Sequence, residues 1–126
     1  MGKTIVVVGI GLALLASTPC LAQSRTLDAF VTEANRIPLN PTSAIRSDAR
    51  RLVREFNASM TTVSAEVRDA RAAGRTPPAC PPERIQMNPR QLLDYLNAIP
   101  QTRRQRMTPT DGIRSWLASR YPCPAA

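Results

Sequence analysis

"NPTSAIRSDARRLVREFNASMTTVSAEVRDARAAG", residues 40–74, is the longest stretch of the chain with a regular apolar spacing. Ile45, Ala49, Leu52, Phe56, Met60, Val63, Val67 and Ala70 recur at steps of 4, 3, 4, 4, 3, 4 and 3. Their mean step is close to the helical period, so the eight side chains form one stripe along a single long helix. Asn40 is placed as its N-cap with Pro41 at the first helical position, and Gly74 as its C-terminal stop. Such a helix of about 30 residues would run roughly 45 Å. "FNASM" and the threonines after it are weak helix formers and mark where it could kink.

Working outward, shorter helices flank this element. "RTLDAFVTEANRI" (25–37) places Leu27, Phe30, Val31 and Ala34 on one face, and "PLNPTS" breaks it. "MNPRQ" opens a third helix, with Asn88 as cap, Pro89 first and Gln91 placed to return the capping bond. Leu92, Leu93, Tyr95, Leu96 and Ile99 form its apolar face, and Pro100 stops it. "MTPTDG" repeats the punctuation for a fourth, with Thr108 as cap and Asp111 in the reciprocal position. Ile113, Trp116, Leu117 and Tyr121 face inward there, and Gly112 should weaken the helix by up to ~1 kcal/mol. No alternating strand pattern is present. The expected fold is all-α, a small four-helix bundle with one long central helix.

The N-terminal 22 residues read as a secretory signal peptide, outside the fold. "MGK" is a short positive start, "TIVVVGIGLALLA" an apolar run, and "STPCLA" a small-residue exit, with cleavage expected between Ala22 and Gln23. A lipoprotein signal retaining Cys20 is the rival layout, which Pro19 fits poorly. No later segment is apolar enough to cross a membrane, so stable membrane insertion is not expected. Residues 23–126 make one domain of 104 residues, expected in the periplasm. Its 16 arginines outnumber its 9 acids, a net charge of +7, because the only lysine is Lys3. That balance favours anionic partners such as phosphate-bearing lipids, peptidoglycan carboxylates or an acidic protein face. Nucleic acid is a poor match for an exported chain without a binding motif.

Two cysteines remain after cleavage, Cys80 in "PPACPP" and Cys123 in "RYPCPAA". In an oxidising compartment they are expected to pair, closing a 43-residue separation worth about 4 kcal/mol in the chain-entropy model. The bond would tie the third and fourth helices at their base and leave "QTRRQRM" (101–107) as an exposed tip.

Catalysis has little support. The mature chain has no histidine and no lysine, no Gly-rich phosphate loop and no spacing that suggests a metal, so no cofactor is expected. Glu66 and Asp69 lie beside Arg68 and Arg71 and read as a solvated ion-pair face. Two arginine groups are candidates for partner binding. Arg46, Arg50 and Arg54, spaced by four, form a basic stripe on the second helix with Arg51 beside it. Arg103, Arg104 and Arg106 occupy the hairpin tip without a nearby acid in sequence, and loops often carry binding residues.

The segment "CPPERIQMNPRQLLDYLNAIPQTRRQRMTPTDGIRSWLASRYPC" resembles the C-terminal portion of the Rap/Tai family of periplasmic immunity proteins. The shared features are Cys80-Pro81, Tyr95-Leu96 with Pro100, Arg103-Arg104, Trp116-Leu117 and Tyr121-Pro122-Cys123. The resemblance implies a helical fold, a possible homodimer, and a protein partner: an amidase toxin delivered by type VI secretion, blocked by occlusion. Where that family often has a further cysteine and a Cys-x-Gly-Tyr-like stretch on the central helix, this chain has "FNASM", so no toxin-contacting residue carries over. Two other functions fit the composition: a small disulfide-bonded envelope-stress or chaperone-like protein, and a module that binds anionic envelope components.

Overall fold

The computed structural model describes residues 25–124; the expected signal segment, with Cys20, Ala22 and Gln23, lies outside the described residues. Every regular element among them is helical. In chain order these are α1 (Leu27–Asn35), a 3-10 turn (Pro41–Ile45), α2 (Ser47–Ala72), α3 (Pro89–Ala98), the single-turn α4 (Gln101–Arg104) and α5 (Pro109–Arg120).

α2 starts later than its stripe suggests. Asn40 does act as a cap, but of the 3-10 turn, and its Oδ1 accepts from the Ser43 N–H, the Ser43 hydroxyl and the Thr42 hydroxyl. This cluster of side-chain bonds competes with helical continuation. The backbone is extended at Arg46 (φ −70°, ψ 139°), and α2 begins only at Ser47. Ile45 is consequently outside the core stripe and 79% exposed, contrary to the spacing. From Ser47 the helix is unbroken for 26 residues, about 39 Å, and passes through "FNASM" without interruption. Beyond that stretch the Thr61 and Thr62 hydroxyls donate back to the carbonyls of Asn57 and Ala58, keeping their polar groups on the helix itself.

The end of α2 is a Schellman motif. Gly74 takes φ +69°, its N–H donates to Arg71 O, and the Arg75 N–H donates to Ala70 O. The caps of the later helices follow their local sequence. Asn88 Oδ1 accepts from the Arg90 and Gln91 N–H groups, although among the described residues the Gln91 side chain returns no bond. Thr108 and Asp111 complete a reciprocal capping box at 3.1 and 2.9 Å.

α2 packs most extensively on α5, and α1 lies against α2, α3, α4 and α5. Leu27 and Val31 from α1, Val63 from α2, Leu96 from α3, and Ile113 and Leu117 from α5 are fully buried, with Trp116 beside them. Gly112 lets α5 come close: a Cβ there would sit 2.8 Å from both Leu27 methyls and 3.2 Å from Leu96 Cδ2. What sequence alone reads as a helix-weakening residue is therefore a packing requirement. Polar pairs join the helices at the edge of this core. Ser59 Oγ and Thr110 Oγ1 are 3.0 Å apart, Tyr95 Oη and Ser115 Oγ 2.7 Å, and the Asn35 and Asn97 amides bond reciprocally.

The Cys80 and Cys123 sulfurs are at bonding distance, 2.05 Å. The Cys80 N–H also donates to Tyr121 O at 2.9 Å, and neighbouring Ala79 is fully buried. The segment before α3 is thus fixed to the chain leaving α5.

Candidate functional site

The arginines singled out by the sequence separate into structural and free groups. Arg104 is not a tip residue awaiting a partner. Pro100 ends α3 but starts α4, and this single turn points Arg104 back at the fold. Its Nε donates to Asp28 at 3.0 Å, and Nη1 donates to the carbonyls of Asn97 and Ile99, orphan acceptors at the end of α3. Both charged side chains are largely buried, 14% exposed for Arg104 and 16% for Asp28. The partnering acid is 76 residues away in sequence, so local reading could not find it. Arg103 and Arg106 are exposed, as expected of a tip.

On the α2 side, Arg46 is the N-cap residue rather than part of a helical stripe, and its guanidinium grips Asp48 through Nε and Nη2. That pairing holds the Asp48 carboxyl below its ordinary range. Arg51 turns to Glu33, which Arg25 also contacts, and these hydrogen bonds lower the Glu33 pKa. Arg50 and Arg54 are exposed and make no ion pair among the described residues.

The expected Glu66–Arg68–Asp69–Arg71 surface face is also rearranged. Glu66 accepts two bonds of 2.8 Å from Arg114 on α5, whose third donor reaches Asp111. This clamp lowers the Glu66 pKa, chiefly through the Arg114 hydrogen bonds, and raises that of Arg114. Asp111 is lowered first by the Thr108 backbone N–H and also by Arg114. These groups hold α2 to α5.

A groove that local pattern did not reveal opens between α1, the 3-10 segment, the first half of α2 and the start of α3. It encloses about 650 Å³. Phe30 and Ala34 of α1, Leu52 and Phe56 of α2, and Leu92 and Leu93 of α3 form its floor and walls. Leu39, Val53 and Met87 stand on its rim, 48%, 55% and 40% exposed. These three and Ile45, which lies on the adjoining turn but does not line the groove, are the large exposed apolar side chains among the described residues. For Leu39, Val53 and Met87 the signal available in the sequence is their position off the core stripes. Leu39 and Met87 sit in breaks between helices, and Val53 follows the stripe residue Leu52.

The groove is lined mainly by apolar side chains. Arg90 is its one charged lining residue, and no carboxylate lines it. The Asn40 and Asn88 side-chain oxygens at its edge are already committed to capping. Among the described residues no group of three His, Cys, Asp or Glu side chains is arranged to hold a metal, and no helix is long and apolar enough to cross a membrane. Comparison with protein-family models, with curated proteins and with solved structures finds no match to this chain.

Proposed function

We propose that this chain is an exported binding protein that acts by occupying a protein partner, with no chemistry of its own. The observation carrying this reading is the gathering of Leu39, Val53 and Met87 on the rim of one apolar groove, since scattered exposed apolar residues are ordinary but a contiguous patch marks a contact surface. The resemblance of residues 80–123 to the Rap/Tai immunity proteins supplies the class of partner: a peptidoglycan amidase delivered by type VI secretion, neutralised in the periplasm. The test is direct. The purified, oxidised protein is titrated against peptidoglycan amidases of the type VI secreted class, beginning with any encoded beside its gene, with peptidoglycan hydrolysis and complex formation as readouts. Stoichiometric inhibition is expected, and absence of both inhibition and complex overturns the immunity reading.

The same open groove also favours a second reading, a chaperone-like protein that holds apolar segments of unfolded envelope proteins. It would suppress aggregation of many clients and form no stoichiometric complex with a single folded one. A tight complex with one partner and no effect on client aggregation rejects it.

A further inference from the structure

We infer that the groove seats one amphipathic helix of a protein partner, apolar on the buried side and bearing carboxylates along its flanks. This deepens the partner-binding reading above and rests on it. The apolar half of the inference comes from exposure. A small ligand seated on the floor alone would leave the rim side chains Leu39 (48% exposed), Val53 (55% exposed) and Met87 (40% exposed) partly in water. A helix laid along the groove covers floor and rim together, the geometry by which helical segments dock between helices.

Charge complementarity sets the flanks. Arg50, Val53, Arg54 and Asn57 lie at i, i+3, i+4 and i+7 on α2, forming one ridge whose apolar member overhangs the groove. Arg90, at the start of α3, lines it from another side. None of these three arginines has an ion pair among the described residues, whereas Arg25, Arg46, Arg51, Arg104 and Arg114 are all matched to acids. Three unneutralised positive charges therefore lie on the two helices that bound the apolar opening, Arg90 among its lining residues and Arg50 and Arg54 on either side of Val53 along the ridge. A second copy of this chain is a poor occupant, because a twofold contact would bring arginine rim against arginine rim with no lining carboxylate to relieve it.

The probe is a fluorescein-labelled synthetic helix with leucines at i, i+3, i+4 and i+7 and glutamates on both flanks. Its controls are an isomer with lysines in place of the glutamates and vesicles of anionic phospholipid. Fluorescence anisotropy with the purified, oxidised protein should show the glutamate peptide binding in the micromolar range. Three exposed ion pairs should set roughly a tenfold preference over the lysine isomer at low salt, shrinking as salt is raised. Val53→Asp should weaken binding at least about tenfold by placing a carboxylate at the opening, with the helical circular dichroism unchanged because Val53 is half-exposed. The triple change Arg50→Glu, Arg54→Glu, Arg90→Glu should reverse the preference between the two peptides.

Equal affinity for both peptides, binding untouched by Val53→Asp, or vesicles bound in preference to the glutamate peptide would each overturn the assignment. So would a protein dimer that Val53→Asp dissociates, which would make a second copy the occupant. Amidase inhibition that survives Val53→Asp removes the groove while leaving the inhibitor reading intact. Peptide binding with the expected charge preference but no amidase inhibition supports the groove and removes only the immunity reading.

Discussion

Replacing Gly112 by alanine tests the packing of the core against the propensity of its helix. In an isolated helix the change would stabilise by about 1 kcal/mol, because alanine restricts the unfolded chain and costs nothing in the helix. Here the new methyl meets both methyls of Leu27 at 2.8 Å and a Leu96 methyl at 3.2 Å. Leu27, which makes both of the 2.8 Å contacts, is completely buried within the core and must shift against its neighbours. Overpacking of this kind costs about 1–3 kcal/mol. With three close contacts the upper part of that range applies, and the net expectation is a loss of about 1–2 kcal/mol. For a domain of this size that lowers Tm by roughly 4–16 °C.

Urea unfolding followed by far-UV circular dichroism measures this directly. Gly112→Ala should move the midpoint down without altering the denaturant slope. A second measurement isolates the cause. In a Leu27→Ala background, which carries its own cavity cost, Gly112→Ala should become neutral or stabilising because the clash is gone. A midpoint for Gly112→Ala equal to or above the parent's, or the same loss in both backgrounds, would refute close approach at Gly112 as its reason for being there.

Three further outcomes follow from the same contacts. Removing the Cys80–Cys123 link by a double serine substitution should cost about 4 kcal/mol for its 43-residue separation, read as a urea midpoint; a change under about 1 kcal/mol would contradict a native staple. Arg104→Ala should destabilise by about 2–3 kcal/mol, since it strands a buried Asp28 and two carbonyls, whereas Arg103→Ala and Arg106→Ala should stay within about 0.5 kcal/mol; equal effects at all three positions would refute the distinction. The depressed carboxyls of Glu33, Glu66 and Asp111 stabilise the fold fully above their ordinary values of 4.5, 4.5 and 3.8, and this is lost as pH falls through their lower folded values. Tm should therefore be flat down to about pH 5 and fall below about pH 4, and Arg114→Gln should blunt that fall; an unchanged acid profile in that variant would refute the clamp.

The features legible in the sequence are those decided within a few residues. Asn88-Pro89 and Thr108-Pro109 with Asp111 cap their helices because a side-chain oxygen and the N–H groups it serves are neighbours in the chain. The pairing of Cys80 with Cys123 is legible for a different reason: they are the two cysteines left once the N-terminal segment is read as a cleaved signal. Features made by the meeting of distant segments were not. Arg104 finds Asp28 across 76 residues and Glu66 finds Arg114 across 48, and in each case nearer charges suggested a different grouping. Ile45 misled for a related reason. Its spacing fits the stripe of α2, but the bonds around Asn40 close a 3-10 turn before the helix can begin. The groove escaped entirely, because concavity belongs to no single element.

The fate of the arginines moves the centre of interest along the chain. Arg103, Arg104 and Arg106 were attractive because they sit in a turn without sequence-local acids, yet Arg104 locks that turn onto α1 and the ends of α3. Arg50 and Arg54 read as the wet side of an amphipathic helix, yet they flank Val53 along α2, and Val53 and Arg90 line the groove. Exposure alone cannot distinguish these cases, because a solvated guanidinium and a binding one are equally accessible before the partner arrives. What distinguishes them is the neighbouring apolar area. An exposed ion pair is worth little by itself, but beside a surface that a partner dries, the same charge meets its carboxylate in a less screened setting. On the proposed reading the selective charges lie at the groove, while the disulfide and the Arg104 contacts tie down α3, one of its walls.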